Sequence, residues 1–112
     1  MPIQNWSDDI LLADLQTDPL FTDDLNSLTD LLEAGPPRDV VLDLAGVQYL
    51  NSSNIAKLLK LRKVVTINHH RKLMLCGLST HVWGVFLTTG LDKIFEFADD
   101  VASGLAALQL TR

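Results

Sequence analysis

Two adjacent serines flanked by asparagines, Asn51-Ser52-Ser53-Asn54, are the residues of this 112-residue chain whose types and spacing best suit chemistry. They follow a β-branched run, Val40-Val41-Leu42-Asp43-Leu44, and precede an apolar-periodic stretch that starts at Ile55. A loop that leaves a parallel strand and enters a helix lies at the strand's carboxyl end, where open α/β sheets place their functional crevices. The helix start offers unpaired amide donors and a partial positive charge, so a phosphate on a serine there is electrostatically favoured. Ser52 suits that role, with Asn51, Ser53 and Asn54 beside it in the loop. The plainer reading of the same spacing makes Ser52 or Ser53 the helix N-cap, a role worth about 1 kcal/mol.

Other chemistry has weaker footing. The chain has no glycine-rich phosphate loop, no Gly-x-Ser-x-Gly elbow, no His-Glu-x-x-His and no Cys-x-x-Cys. Catalysis is not expected, and no cofactor is implied. His69 and His70 are sequence neighbours that point in different directions, and His81 sits on a separate helix beside Trp83. A metal site needs three or four converging ligands, so no metal is expected. Cys76 lies in the apolar run Leu73-Met74-Leu75-Cys76-Gly77 and reads as a small core thiol without an intramolecular disulfide partner. Asp43, at the end of a central strand, raises the rival of a phospho-receiver. That architecture needs an acidic cluster after the first strand and a lysine ending the last; here Asp8-Asp9 precede their strand and Lys93 comes before Ile94-Phe95. Asp43 is more simply a side chain bonding to nearby loop backbone.

Hydrophobic residues make up 47% and charged residues 21%, as in ordinary globular proteins. The length suits one domain, residues 1–112, with a single core. A net charge of −5 opposes nucleic-acid binding, which depends on clustered Lys and Arg. No apolar run approaches the roughly 18 residues that span a bilayer, and the opening residues lack a basic region followed by an apolar one, so a cytoplasmic location without membrane insertion is expected.

The elements that position the loop follow from periodicity. Ser7-Asp8-Asp9 supplies a turn before a short hairpin strand with Ile10, Leu12 and Leu15 as inward candidates. Pro19 and Thr22 precede Leu25, Leu28, Leu31 and Leu32 on a first helix, which ends before Gly35-Pro36-Pro37. The Val40–Leu44 run is a central strand covered on both faces. On the second helix Ile55, Leu58, Leu59, Leu61 and Val65 share an arc of roughly 160°, with Lys57, Lys60 and Lys63 largely outside it and Val64 and Ile67 as exposed apolar residues that fit either an interface or a covered edge. Asn68-His69-His70-Arg71 closes this helix, and Lys72–Gly77 is the next strand. Ser79 caps a third helix through Val82, Val85, Phe86 and Leu87, which stops at Thr88-Thr89-Gly90-Leu91. Ile94-Phe95-Glu96-Phe97 is a short last strand, and Asp99-Asp100 caps a helix through Val101, Leu105 and Leu108. Strands alternating with helices predict an α/β fold with a mostly parallel four- to five-stranded sheet and about four helices.

Four segments resemble the STAS family of the anti-sigma factor antagonist type. Val40–Val47 is similar to the family's "vvlDlsgv" strand, and Tyr49-Leu50-Asn51-Ser52-Ser53-Asn54-Ile55 to its Asp-Ser-Ser-Gly loop and Leu-rich helix. Leu73–Ser79 resembles "lvlvgls" and Thr89–Phe95 resembles "tGLdklf", so the likeness runs from about residue 38 to 108. It implies a STAS-like single domain that acts in bacterial partner switching. The unphosphorylated domain docks on an anti-sigma serine kinase and frees a sigma factor, and phosphorylation of the loop serine, Ser52 by position, reverses the docking. The kinase supplies nucleotide, metal and catalytic base, so the chain is a substrate and no enzyme. Asn51 stands where the family has aspartate and Asn54 where it has glycine. The first change lowers repulsion toward a phosphate and removes an acceptor; the second adds a side chain where a partner's backbone would approach. The alternative is a scaffold or transport-associated STAS module without a phosphoswitch, contacting a nucleotide or an ATPase through Lys57, Lys60 and Lys63.

Overall fold

The computed structural model describes residues 3–110. Ser7 to Asp9 make the expected turn: Trp6 N–H donates to the Ile10 carbonyl at 3.0 Å, joining β1 (Ile3–Asn5) to β2 (Ile10–Gln16) as an antiparallel hairpin. Next come α1 (Leu20–Ala34), β3 (Asp39–Gly46) and α2 (Ser52–Arg62), the last continuing into a π-helical turn over Lys63–Asn68. β4 (Leu73–Cys76), α3 (Thr80–Thr89), a 3₁₀ turn (Leu91–Lys93), β5 (Glu96–Ala98) and α4 (Val101–Leu110) complete the described chain.

The five strands lie in the order β1-β2-β3-β4-β5, with β2 to β5 parallel. Each crossover joins neighbouring strands in one direction, and right-handed connections of that kind place their helices on the same face. Accordingly Phe21, Leu25, Leu28 and Leu32 of α1, Leu58 and Leu61 of α2, and Val82 and Phe86 of α3 share one buried cluster with Leu11, Ala13, Leu15, Leu42, Leu44 and Leu75. The opposite face is covered by α4, where Leu105 and Leu108 pack on Ile10, Val41, Met74 and Cys76. Gly104 permits that approach, because a Cβ there would lie 2.6 Å from Cys76 Sγ. Phe86 anchors the α3 edge by edge-to-face contacts with Phe95 and Phe97, at centroid separations of 5.7 and 5.4 Å.

Three sequence expectations are corrected here. In β2 Ile10 and Leu15 are buried as expected but on opposite faces: Leu11, Ala13 and Leu15 face the three-helix core while Ile10 and the partly buried Leu12 face α4, so the inward set is larger than expected because both sheet faces are covered at this end. Val64 is buried and only Ile67 is exposed, because the π-helical turn fits more residues per turn and rotates Val64 and Val65 inward. The last strand is Glu96–Ala98, as Phe95 N–H still bonds back to the Leu91 carbonyl at 3.3 Å and Ile94 ends the 3₁₀ turn. The remaining boundaries follow their signals. Ser79 Oγ accepts from Val82 N–H at 3.2 Å, Gly90 ends α3 with φ 75°, and Asp100 accepts from Ser103 N–H at 2.7 Å at the start of α4.

Candidate functional site

β3 ends at Gly46, and residues 47–51 carry the chain over the carboxyl edge of the sheet to α2. Val47 and Leu50 are buried and pin this connection, while Gln48, Tyr49, Asn51, Ser52 and Ser53 are exposed. Gln48 N–H donates to Thr17 Oγ1 at 2.8 Å, tying the segment to the end of β2.

The cap of α2 is Asn51, and neither serine serves as one. Asn51 Oδ1 accepts from Asn54 N–H at 2.8 Å, and Asn54 Oδ1 accepts from Asn51 N–H at 3.1 Å, a reciprocal capping box built from two asparagines. Ser52 and Ser53 occupy the first two helical positions. The Ser52 hydroxyl is exposed and makes no hydrogen bond to the described residues. Asn54 is fully buried and its side chain turns inward, so it adds no bulk on the outer surface of the loop, contrary to the expectation from its replacement of glycine.

Asp18, in the connection between β2 and α1, was not singled out in the sequence. Its Oδ2 accepts from Asn54 Nδ2 at 2.8 Å and from Asn51 Nδ2 at 3.1 Å. Its Oδ1 accepts from Thr22 N–H at 2.9 Å and Thr22 Oγ1 at 2.6 Å. One carboxylate thus binds the first turn of α1 to the first turn of α2, where the partial positive ends of both helices favour an anion. The Thr22 hydroxyl and the Asn54 amide, followed by the Thr22 N–H and Asn51, hold the Asp18 carboxyl down to about 2, against partial desolvation. The family's loop aspartate is absent, and a carboxylate reaches the same loop from a different segment. With Asp18 in place, an amide at position 51 donates to it, whereas a second carboxylate would repel it. The sequence carried half of this signal, since Asp18-Pro19 is an ordinary helix-start pair; its reach to residues 51 and 54 lies in the tertiary fold.

The other candidates lie elsewhere. Asp43 Oδ1 accepts from Ala45 N–H at 3.0 Å, the backbone contact expected of it. Cys76 is buried in the α4 face, where desolvation, followed by the charges of Asp43 and Asp100, pushes its thiol up to about 11. Lys60 and Lys63 are exposed and Lys57 is half-buried along α2. His69 and His70 lie beyond the π-helical turn, and His81 is exposed on α3. Among the described residues no three His, Cys, Asp or Glu side chains converge, and no helix is long and apolar enough to cross a membrane.

The site therefore sits on a single α/β domain whose described residues form five strands and four helices, with a capped serine loop at the carboxyl edge of the sheet. The STAS domain family matches residues 17–104, and the chain belongs to that family. No curated protein matches it by sequence. Among solved structures it is similar to a Thermotoga maritima protein described as an anti-sigma factor antagonist, with a TM-score of 0.82, 17% identity and coverage of 96% of this chain and 93% of that one. It is also similar to a serine-to-glutamate variant of RsbS from Moorella thermoacetica, with a TM-score of 0.78, 18% identity and full coverage of both chains. A sulfate transporter family protein from Wolinella succinogenes shares the fold at a TM-score of 0.73 and 18% identity, covering 91% of this chain and 84% of that one.

Proposed function

We propose that this chain is a bacterial, cytoplasmic partner-switching protein of the anti-sigma factor antagonist type, which docks on an anti-sigma serine kinase and is released by phosphorylation of Ser52. The observation that carries the reading is the division of labour in the loop. Asn51 caps α2, so the Ser52 hydroxyl is free of structural duty and exposed at the first helical position. Modification there adds a charge of about −1.5 to −2 beside backbone donors that tolerate it, and alters the docking surface without unwinding the helix. The docking surface comprises the exposed loop residues Asn51, Ser52 and Ser53, with Asn54 holding them from beneath. The partner kinase supplies nucleotide, metal and base; the chain contributes an exposed hydroxyl and acts as a substrate.

The test is capture of partners by native, Ser52→Ala and Ser52→Asp protein from the source cell, with mass spectrometry of the partners and of Ser52. Binding of an anti-sigma kinase by the native and Ala forms and its loss with Asp support the switch. The same partners on all three forms, with no phosphate on Ser52, overturn it, and a scaffold or transport-associated role with a nucleotide or ATPase partner takes its place.

A further inference from the structure

The cations of this acidic chain are segregated. Residues 51–91 contain Lys57, Lys60, Arg62, Lys63, Arg71 and Lys72 and no Asp or Glu, whereas residues 8–43 contain ten Asp and Glu and one Arg. Three of the six cations converge on a single concavity. Arg62, Arg71 and Lys72, with Thr66 and His70, line a cleft of about 380 Å³ between the π-helical turn, the loop into β4 and the segment entering β5. One carboxylate, Glu96, lies on its rim. The cleft is at the opposite end of α2 from Ser52, ten residues or about 15 Å along the helix axis.

The three cations differ in what they have left to give. Arg71 is spent: its Nε donates to Asp39 Oδ1 at 3.0 Å, and its terminal nitrogens donate to the Pro37 carbonyl at 3.0 Å and the Asp9 carbonyl at 3.3 Å, so it forms a rigid wall. Arg62 is half-engaged. Its Nε donates to the Ile94 carbonyl at 3.0 Å, which fixes the guanidinium plane, and its two terminal amino groups make no hydrogen bond to the described residues. Lys72 Nζ is 4.0 Å from Glu96 Oε1, with both side chains about half exposed, a pair too loose to hold the ammonium against a better anion. The wall itself is irregular in two ways that recur at functional sites: a π-helical turn that carries Thr66, and His70 held at φ 56° in the left-handed region.

We propose that this cleft binds the phosphate group of a small phosphorylated metabolite, with Arg62 presenting a preorganised fork to two of its oxygens and Lys72 a point charge to a third. The cleft exceeds a bare phosphate in size, and the exposed Ile94 on its rim gives the organic part of a phosphoester an apolar surface. This site is independent of the switch loop and of the reading given to Ser52.

The experiment is a titration of ¹⁵N-labelled protein with inorganic phosphate, AMP and adenosine at constant ionic strength, followed by amide shifts. Saturable shifts confined to Thr66, Lys72, Leu73 and Glu96 are expected for phosphate and AMP and not for adenosine. Tighter binding of AMP than of phosphate assigns the rim to the organic part, and equal binding assigns recognition to the phosphate alone. Arg62→Gln is expected to weaken binding about tenfold and Lys72→Gln severalfold, whereas Glu96→Gln, which removes the competing carboxylate, tightens it. Lys57→Gln, on the same helix outside the cleft, leaves it unchanged. No saturable shift with either phosphate compound overturns the proposal, as does equal weakening by Lys57→Gln and Arg62→Gln, which reports diffuse attraction to a basic helix.

Discussion

Replacing Asp18 by asparagine tests whether one carboxylate joins the two helix starts. The carboxylate accepts from four donors, two on Thr22 and one each on Asn51 and Asn54. An amide offers a single acceptor oxygen and would turn its NH₂ toward donors. A carboxyl held at about 2 instead of 3.8 corresponds to roughly 2 kcal/mol if fully realised. Asp18 is only half-buried, and solvent screening reduces the expected loss to about 1–1.5 kcal/mol, or about 5 °C in Tm. The sign follows from linkage: a group whose folded-state pKa is depressed contributes fully above its unfolded pKa, and the contribution disappears as pH falls through the folded value. Urea unfolding of both proteins at pH 7, 4 and 2 should therefore show the native chain more stable by this amount at pH 7. The gap should narrow from about pH 4 downward and close toward pH 2. Equal stability at pH 7, or a gap of constant size down to pH 2, refutes the reasoning.

Ser52→Ala is expected to change unfolding stability by less than about 0.5 kcal/mol, whereas Asn51→Ala costs about 1–2 kcal/mol through loss of the cap and of its amide bond to Asp18; chemical denaturation separates the two. Gly104→Ala places a methyl against Cys76 Sγ and Met74 Cγ and is expected to cost about 1–3 kcal/mol, read as a lower urea midpoint, with α4 displaced from the sheet. The Cys76 thiol, pushed up to about 11 and buried, should resist iodoacetamide at pH 8 in the native protein and react readily in denaturant; fast native alkylation would contradict its placement.

Much of the fold was legible because its signals are local. The β-branched run of β3, the leucine spacing of α1 and the Ser79 and Asp100 caps each lie within a few residues of what they determine. The misplaced residues share a different origin. Val64 went to the wrong face because a π-helical turn leaves no mark in an apolar count. β5 starts two residues later than expected because Ile94 and Phe95 suit a strand and a 3₁₀ turn equally well. Leu11 was missed because the amino-terminal half of β2 is covered on both sides, so its inward residues do not alternate with polar ones. At the site, the sequence indicated the loop and the helix it enters. It could not show which of four cap-forming residues performs the capping, since Asn51, Ser52, Ser53 and Asn54 are all of a type that suits the position. Nor could it show Asp18, whose partners are 33 and 36 residues away.

The strand order has a consequence for how the molecule is made. Every strand pairs with the strand next to it in sequence, so each added βα unit closes a short loop onto an existing edge, and the sheet can grow from β2 toward β5 as the chain emerges. The three-helix face is completed unit by unit during that growth. The other face, with Ile10, Val41, Met74 and Cys76, stays uncovered until α4 has been synthesised. During that interval the nascent protein carries an apolar sheet surface suited to chaperones and to aggregation, and docking of α4 ends it.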